Sequence, residues 1–341
     1  MDRVTFDNAR SIYANSSIHE LGNRAQEIRF KKHPDKIVTY VSDRNINYTN
    51  ICVSGCRFCA FHAKPGSSNG WVLSDDELFQ KIDEAKSAGA TQILIQGGLH
   101  PDFKISYYEK MLLGIKNRFD IHVHGFSPPE IHHISSVSGI PTLDVIRRLI
   151  DSGLNTIPGG GAEILSDEIR IKVSPRKCNS DQWIEIMREA HSLGLKTSAT
   201  MMFGLGETID HRIEHLMRIR DLQDQTDGFT AFIPWTFQPS NTMLSDCNPS
   251  DAVEYLRMLA LSRIVLDNVD NIQASWVTQG EKIGQLALFF GANDMGGTMM
   301  EENVVRAAGC ENRLSESRLR EIVERAGFVV KKRDTLYRMV E

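Results

Sequence analysis

Three cysteines in one short run have the spacing for redox chemistry. Cys52, Cys56 and Cys59 stand in the run Cys-Val-Ser-Gly-Cys-Arg-Phe-Cys, a C-x3-C-x2-C pattern; the others, Cys178, Cys247 and Cys310, lie far along the chain. Three thiolates on one loop can hold three irons of a [4Fe–4S] cube and leave the fourth iron open to bind and reduce a small molecule. A structural zinc wants four closed ligands, and His62, three residues beyond Cys59, is the nearby candidate for a fourth. A cluster with four protein ligands needs its last one from far away. Phe58 sets an aromatic ring beside whichever centre binds.

Further segments have residue types suited to a ligand. Gln96-Gly97-Gly98 reads as a tight turn leaving a strand, or as bare backbone against a bound molecule. In Pro158-Gly159-Gly160-Gly161-Ala162-Glu163, three glycines are unfavourable inside a strand and suit a backbone lying close to a ligand. The two acceptor oxygens of Glu163 suit ribose hydroxyls; the plainer reading pairs Glu163 with Arg170 on a helix surface, worth little. Thr200-Met201-Met202-Phe203 breaks at Gly204 into Leu205-Gly206-Glu207, with Met201 and Met202 read as core. On a strand His122 and His124 share a face; His124, nearer the carboxyl end, is the better site candidate, with Glu130 beyond a turn stiffened by Pro128 and Pro129. Cys178, Cys247 and Cys310 read as small buried hydrophobes.

The elements that must position these residues repeat one unit: helix, glycine, short apolar strand, glycine again. Ser74 with Glu77 is a capping box, Leu78, Ile82 and Ala85 recur at helical spacing, and a strand over 91–96 follows Gly89. The unit recurs as helix 143–150 with strand 154–157, and as helix 181–192 with strand 197–203. A helix over 107–116 and a strand over 121–125 lie between the first two, and 47–51, 229–235 and 272–277 read as further strands. Such alternation predicts a parallel sheet. The polar and glycine-rich loops all follow strands, where a (β/α) TIM-type barrel, full or partial, keeps its working residues. A doubly wound sheet would concentrate them at one switch point. Residues 1–37 read as an N-terminal helical extension, and 38–341 as the barrel with C-terminal α/β elements, among them a helix over 315–326.

The bulk numbers fit a soluble enzyme. The chain has 341 residues, 41% hydrophobic and 24% charged, with a formal charge of −5. That charge gives no basic face for nucleic acid or an anionic membrane. No apolar run reaches spanning length, and the N-terminus lacks a signal peptide's apolar stretch. A cytoplasmic, reducing setting is expected, which suits thiolates on a cluster better than disulfides.

The cysteine spacing, the aromatic before the last cysteine and the α/β pattern that follows resemble the radical S-adenosylmethionine (SAM) superfamily. The resemblance implies a [4Fe–4S] cluster on Cys52, Cys56 and Cys59, with Phe58 beside it, and SAM chelating the open iron. It implies that Gln96, Gly97 and Gly98 meet the methionine ammonium group, that Glu163 meets the ribose, and that Gly204 lies at the adenine. Arg170 and Arg176 become candidates for the methionine carboxylate. Leu99 stands where the family's usual acidic residue follows the glycine pair.

Over 38 to the C-terminus the chain further resembles the futalosine-pathway branch of menaquinone biosynthesis. Asp43-Arg44-Asn45-Ile46-Asn47-Tyr48-Thr49-Asn50, His124-Gly125-Phe126-Ser127-Pro128-Pro129-Glu130, Phe232-Ile233-Pro234-Trp235-Thr236-Phe237-Gln238-Pro239 and Gly291-Ala292-Asn293-Asp294-Met295-Gly296-Gly297-Thr298 carry that likeness. The implied reaction is ring closure of dehypoxanthine futalosine through a 5′-deoxyadenosyl radical, primed by a reductant such as flavodoxin or ferredoxin. Its implied base is His124 or Glu130. Thr236, Gln238, Asn293 and Thr298 are expected to meet the substrate's polar groups, and Tyr48 and Trp235 to wall its aromatic part. Leu205 replaces a histidine more usual in the family. Aminofutalosine synthase and the deazaflavin (FO) synthase subunits are the neighbouring alternatives; a non-catalytic iron–sulfur electron carrier or a zinc-binding protein is the alternative of another class.

Overall fold

Helix starts are closed by their own side chains. Ser17 with Glu20, Ser74 with Glu77 and Asn179 with Gln182 each form a reciprocal capping box, satisfying backbone N–H groups that the helix leaves open. At the other end of two helices, Gly89 (φ 83°) and Gly194 (φ 82°) turn the chain back toward the sheet, a conformation in which a side chain would be strained.

The structure, a computed structural model, describes residues 3–340. Its strands are β1 (Ile37–Val41), β2 (Asp43–Asn47), β3 (Gln92–Gln96), β4 (His122–Gly125), β5 (Thr156–Ile157), β6 (Lys196–Phe203), β7 (Phe229–Thr236), β8 (Asn271–Ile272), β9 (Asp294–Gly297) and β10 (Val329–Lys332). Strands β2 to β8 form one seven-stranded parallel sheet in chain order. Chain order throughout excludes the doubly wound alternative, whose order reverses at a switch point. β9 spans the gap between the sheet's two edges. Ala274 N–H donates to Asp294 O on the β8 side, and Thr298 N–H and Met300 N–H donate to Val41 O and Asp43 O on the other. β1, continuous with β2, also pairs with β10 in a three-stranded sheet, order β10-β1-β9.

Two boundaries differ from the sequence expectation. The strand before the cysteines is β2, ending at Asn47, while Thr49 and Ile51 make only isolated bridges to Val72 and Ala63. The run over 272–277 is strand only to Ile272; helix Trp276–Ala287 begins inside it. An apolar run of that length does not tell strand from helix by periodicity. β1, β9 and β10 were not expected as strands. Helices Phe6–Asn15 and Ile18–Lys32 pack on helices Ile209–Thr226 and Ala252–Val265. Leu21 and Ala25 meet Ala260 and Ile264 in a small separate core, which explains why Ala252–Val265 is apolar on nearly every face.

One ion pair fixes the floor of the barrel. Asp294 of β9 accepts from Arg333 at 2.5 and 2.9 Å, from the Thr39 hydroxyl at 2.5 Å and from Gly296 N–H at 2.7 Å. Both side chains are buried. Removing one partner of such a pair strands the other charge. Arg333→Ala is therefore expected to lower the unfolding free energy by about 3–5 kcal/mol, read from the denaturant midpoint; a midpoint unmoved from wild type would show that the pair does not hold the floor.

Candidate active site

The cysteine loop forms one wall of a cavity of about 240 Å³ at the carboxyl ends of the strands, and Cys52, Cys56 and Cys59 all line it. Its backbone is fixed by Cys52 N–H to Ala63 O and Val53 N–H to Leu99 O. Ser54 Oγ sits between the thiols, 2.9 Å from Cys52 Sγ and 3.3 Å from Cys56 Sγ. Arg176 holds the loop from behind, its Nε donating to Ser54 O at 3.1 Å; it clamps the loop rather than a ligand. The three thiols do not converge on one point. Among the described residues no group of three His, Cys, Asp or Glu could hold a single metal ion, and His62 Nδ1 faces Cys59 O at 2.9 Å. Burial pushes the Cys56 thiol up to about 11, against the pull of Lys177; a thiolate there needs a nearby positive centre.

The opposite wall is the glycine pair after β3. A Cβ on Gly98 would stand 2.2 Å from Ile51 O, and one on Gly97 would stand 2.5 Å from the Tyr48 ring. Gly97 N–H and Tyr48 O–H both donate to Glu130 Oε1, at 3.0 and 2.9 Å. Ser127 N–H and O–H donate to Glu130 Oε2, at 2.8 and 2.6 Å. A carboxylate has about four lone-pair sites, and these donors occupy them. This overturns Glu130 as a base: it is the N3 residue of a capping box on helix Pro128–Ser138 and holds the glycine turn. Tyr48 is likewise buried beneath that turn, so it does not wall a substrate.

Gly160, Gly161 and Glu163 close the third side. Glu163 adopts φ 43°. Its Oε1 accepts from Lys177 Nζ at 2.8 Å; its buried Oε2 accepts no hydrogen bond but lies 3.6 Å from Arg170 Nη1, so the Glu163–Arg170 pair exists, buried rather than on a helix surface. Burial works against the Lys177 charge, but Cys56 and Glu163 outweigh it and hold the ammonium's pKa above its usual value. Lys177 also lies 5.2 Å from the Phe58 ring centre. Arg170 is not the expected carboxylate clamp. Its guanidinium is committed to the carbonyls of Gly161, Ala162 and Cys178, so it shapes the glycine loop from behind. Gly204 is also off the cavity, its N–H held by Glu207 Oε1 at 2.8 Å and its Cα packed near Ser250. Met202 and Phe237 line the cavity in its place.

A second cavity of about 280 Å³ occupies the barrel interior and shares Gln96, Gly160, Trp235, Val304 and Val305 with the first. His124, Asp43, Ser198, Thr200, Thr230 and Gln273 line it. Burial holds His124 to a pKa of about 3, with His122 and Arg333 adding to the effect, so its imidazole is neutral. Burial also lifts Asp43 to about 6. Of the expected substrate contacts, Trp235 lies on both cavities and Gln238 on the first. Thr236, Asn293 and Thr298 are buried and line neither. The Thr236 hydroxyl accepts from the amides of Gln238 (3.0 Å) and Gln279 (2.6 Å). Asn293 accepts from Arg263 at 2.6 Å and donates to Asn271 at 2.8 Å. Polar residues at strand ends serve the scaffold as readily as a ligand.

Over the junction of the cavities runs a strap after β9. Glu302 Oε1 accepts from Val304 N–H and Val305 N–H at 2.7 and 2.9 Å, and its Oε2 from Asn45 at 2.8 Å. Glu301 pairs with Arg44 and Lys81. Lys177, Met202, Asp43 and the strap were missed by sequence reasoning; only the run Gly291–Thr298 pointed near the last.

Against known proteins, residues 46–219 match the model of the radical SAM superfamily and residues 226–341 that of the CofH/MqnC C-terminal region. Cyclic dehypoxanthine futalosine synthase of Halalkalibacterium halodurans is 43% identical over 99% of this chain and 92% of its own length. The same-named protein of Streptomyces coelicolor is 42% identical over 98% and 85%. The 5-amino-6-(D-ribitylamino)uracil–L-tyrosine 4-hydroxyphenyl transferase 1 of Methanosarcina acetivorans is 43% identical over 94% and 87%. Among solved structures, methylornithine synthase shares the fold with a TM-score of 0.74 at 17% identity, covering 96% of this chain and 94% of its own.

The close approach of Gly98 to Ile51 sets a test of the first cavity. Gly98→Ala must push the cysteine loop off the strand end, a strain of about 1–3 kcal/mol. The expected result is a folded protein that retains less iron after anaerobic reconstitution; iron content and circular dichroism equal to wild type would show that the approach is not needed.

Proposed function

Because the chain belongs to the radical SAM superfamily, we propose that it closes dehypoxanthine futalosine into its cyclic form, a step of menaquinone biosynthesis. The observation that carries the reading is the pair of relatives of that activity which align with 98–99% of the chain. The residues fit the cofactors the family implies. Three free thiols share one cavity wall, the Gly97-Gly98 turn leaves room only for backbone, and Glu163 presents a buried oxygen that accepts no hydrogen bond. Cys52, Cys56 and Cys59 would hold the [4Fe–4S] cluster, the Gly97-Gly98 turn the methionine end of SAM, and Glu163 its ribose. When bound, that pair supplies a 5′-deoxyadenosyl radical able to take a hydrogen atom from the substrate's ribose.

The rest is positioning by this chain. The shared wall of Gln96, Gly160 and Trp235 puts the radical's origin next to the barrel cavity. There the substrate must be held folded, with its two reacting carbons in near-attack contact. Trp235 offers an apolar face to the aromatic part, and Ser198, Thr200, Thr230 and Gln273 offer hydrogen bonds to its hydroxyls. Val304 and Val305 cover the junction and limit water. His124, neutral and on the cavity, is the proton acceptor for ring closure. No helix among the described residues is long and apolar enough to cross a membrane; we place the enzyme in the cytoplasm with a flavodoxin or ferredoxin as its reductant.

A second reading is formation of a deazaflavin precursor, favoured by the 43% identity to the 4-hydroxyphenyl transferase of Methanosarcina. Anaerobically reconstituted protein given SAM, a reductant and dehypoxanthine futalosine is expected to release methionine and 5′-deoxyadenosine. The nucleoside product should be lighter than the substrate by a pair of hydrogens, one carried off by deoxyadenosine and one lost as a proton. Cys56→Ala should abolish all three products. Turnover of tyrosine with the ribitylaminouracil instead would overturn the assignment in favour of the second reading.

A further inference from the structure

Two histidines in the barrel share one hydroxyl. His124 Nδ1 lies 2.7 Å from Thr156 Oγ1, and His122 Nε2 lies 2.8 Å from the same oxygen. The sheet fixes the contact, since His124 of β4 is the register partner of Thr156 of β5. A hydroxyl has one proton to donate, and a neutral imidazole has one N–H and one bare nitrogen. Thr156 therefore donates to one ring and accepts from the other, which gives the chain of hydrogen bonds a direction. Its ends differ. His124 lines the substrate cavity. His122 does not; it is one layer nearer the strands' amino ends on the same face, half-buried, beside Asp334 and Arg338 of the C-terminal segment.

We propose that His124, Thr156 and His122 form a proton relay that carries the proton released on ring closure from the barrel cavity to the barrel floor. The proposal rests on the reading of the preceding section. The C–H bond at the new ring of the radical adduct breaks, its electron pair stays in the ring, Nε2 of His124 gains the proton, and the one surplus electron leaves to a one-electron acceptor, the oxidised form of a flavodoxin- or ferredoxin-class partner. Nδ1–H of His124 passes to Thr156 Oγ1, the original hydroxyl proton passes to Nε2 of His122, and Nδ1–H of His122 passes to water. Each transfer breaks one N–H or O–H bond and makes another, and no electron moves along the chain. Burial keeps His124 at about 3 and His122 at about 4. Neither ring holds a second proton at neutral pH, so a solitary His124 would return it to the product, whereas a linked one hands it on. Thr156 is then a positioning residue, acting through the two rings.

Thr156→Val keeps the shape and removes the hydroxyl; Thr156→Ser restores it. In the reconstituted enzyme, Thr156→Val should lower kcat by roughly 10²-fold with KM little changed, and should alter the solvent deuterium isotope effect on kcat. Thr156→Ser should recover most of both. Independently of turnover, histidine ¹⁵N spectra of the protein without cofactors should show fixed tautomers for His122 and His124 in wild type and Thr156→Ser, and mixed ones in Thr156→Val. Wild-type kcat and isotope effect in Thr156→Val would overturn the relay. If wild type makes no cyclic product, the functional reading fails instead, and tautomers insensitive to Thr156→Val would then overturn the shared hydrogen bond by themselves.

Discussion

The buried carboxylate of Glu130 sets the geometry on which the cofactor wall depends. A carboxylate removed from water is costly unless donors answer it, and here they come from the ends of three neighbouring strands: Tyr48 after β2, Gly97 after β3 and Ser127 after β4. Burial raises the Glu130 pKa, while Ser127, Gly97 and Tyr48 pull it down. One side chain thus fixes the relative heights of three loops at the barrel mouth. The cysteine run begins four residues beyond Tyr48, and Gly98 N–H donates to Thr49 O at 2.9 Å. The seat of the thiols is therefore tied to Glu130 through two short links rather than through a long flexible loop.

That constraint divides the interior. Glu130, Gly97 and Ser127 face the first cavity, leaving the barrel axis free for the second. The junction is narrow in chemistry as well as in space: Gln96, Gly160 and Trp235 contribute to both sides, under Val304 and Val305. Glycine at 160 keeps the opening, since a Cβ there would stand 2.7 Å from the Gln96 amide. A reactive species formed on one side meets a substrate on the other across backbone and an indole ring, with few groups of its own to attack.

Short-range features were legible in the sequence, and long-range partnerships were not. The cysteine spacing, the glycine turns, the Ser74–Glu77 capping box and the alternation of helix and strand are local, and they appear where the pattern put them, except for the strands expected over 47–51 and 272–277. Glu130 was visible as an unusual residue, but whether its oxygens faced a substrate or three backbone turns depended on residues 33 and 82 positions away. Arg170 and Asn293 were misread for the same reason. A buried cation or amide is equally at home on a ligand and on unsatisfied carbonyls, and sequence reveals no choice between them. Lys177 left no mark, because its meaning comes from Cys56 and Glu163 meeting it in space. β9 was hidden by its glycines and by an aspartate that looks foreign to a strand until Arg333 neutralises it.

The position of β9 also decides how the two halves of the chain share the work. The cysteine loop, the glycine pair and Glu163 all come from the first half and form three sides of the first cavity, which Met202, Trp235, Phe237, Gln238 and the strap complete from the second. The second cavity cannot be built without the later segments, since β7, the residues just after β8, β9, the strap and Arg333 supply much of its wall. The backbone bonds of β9 to both sheet edges make that wall continuous, and most of the residues that shape the second cavity lie apart from the thiols and Glu130. Such an arrangement lets one radical source serve different substrates by altering only the far wall. It also separates two sites: the cysteine loop lies at the mouth, while the His124–Thr156–His122 chain lies toward the opposite end of the strands. In the proposed relay, a proton taken up by His124 would therefore leave away from the thiols.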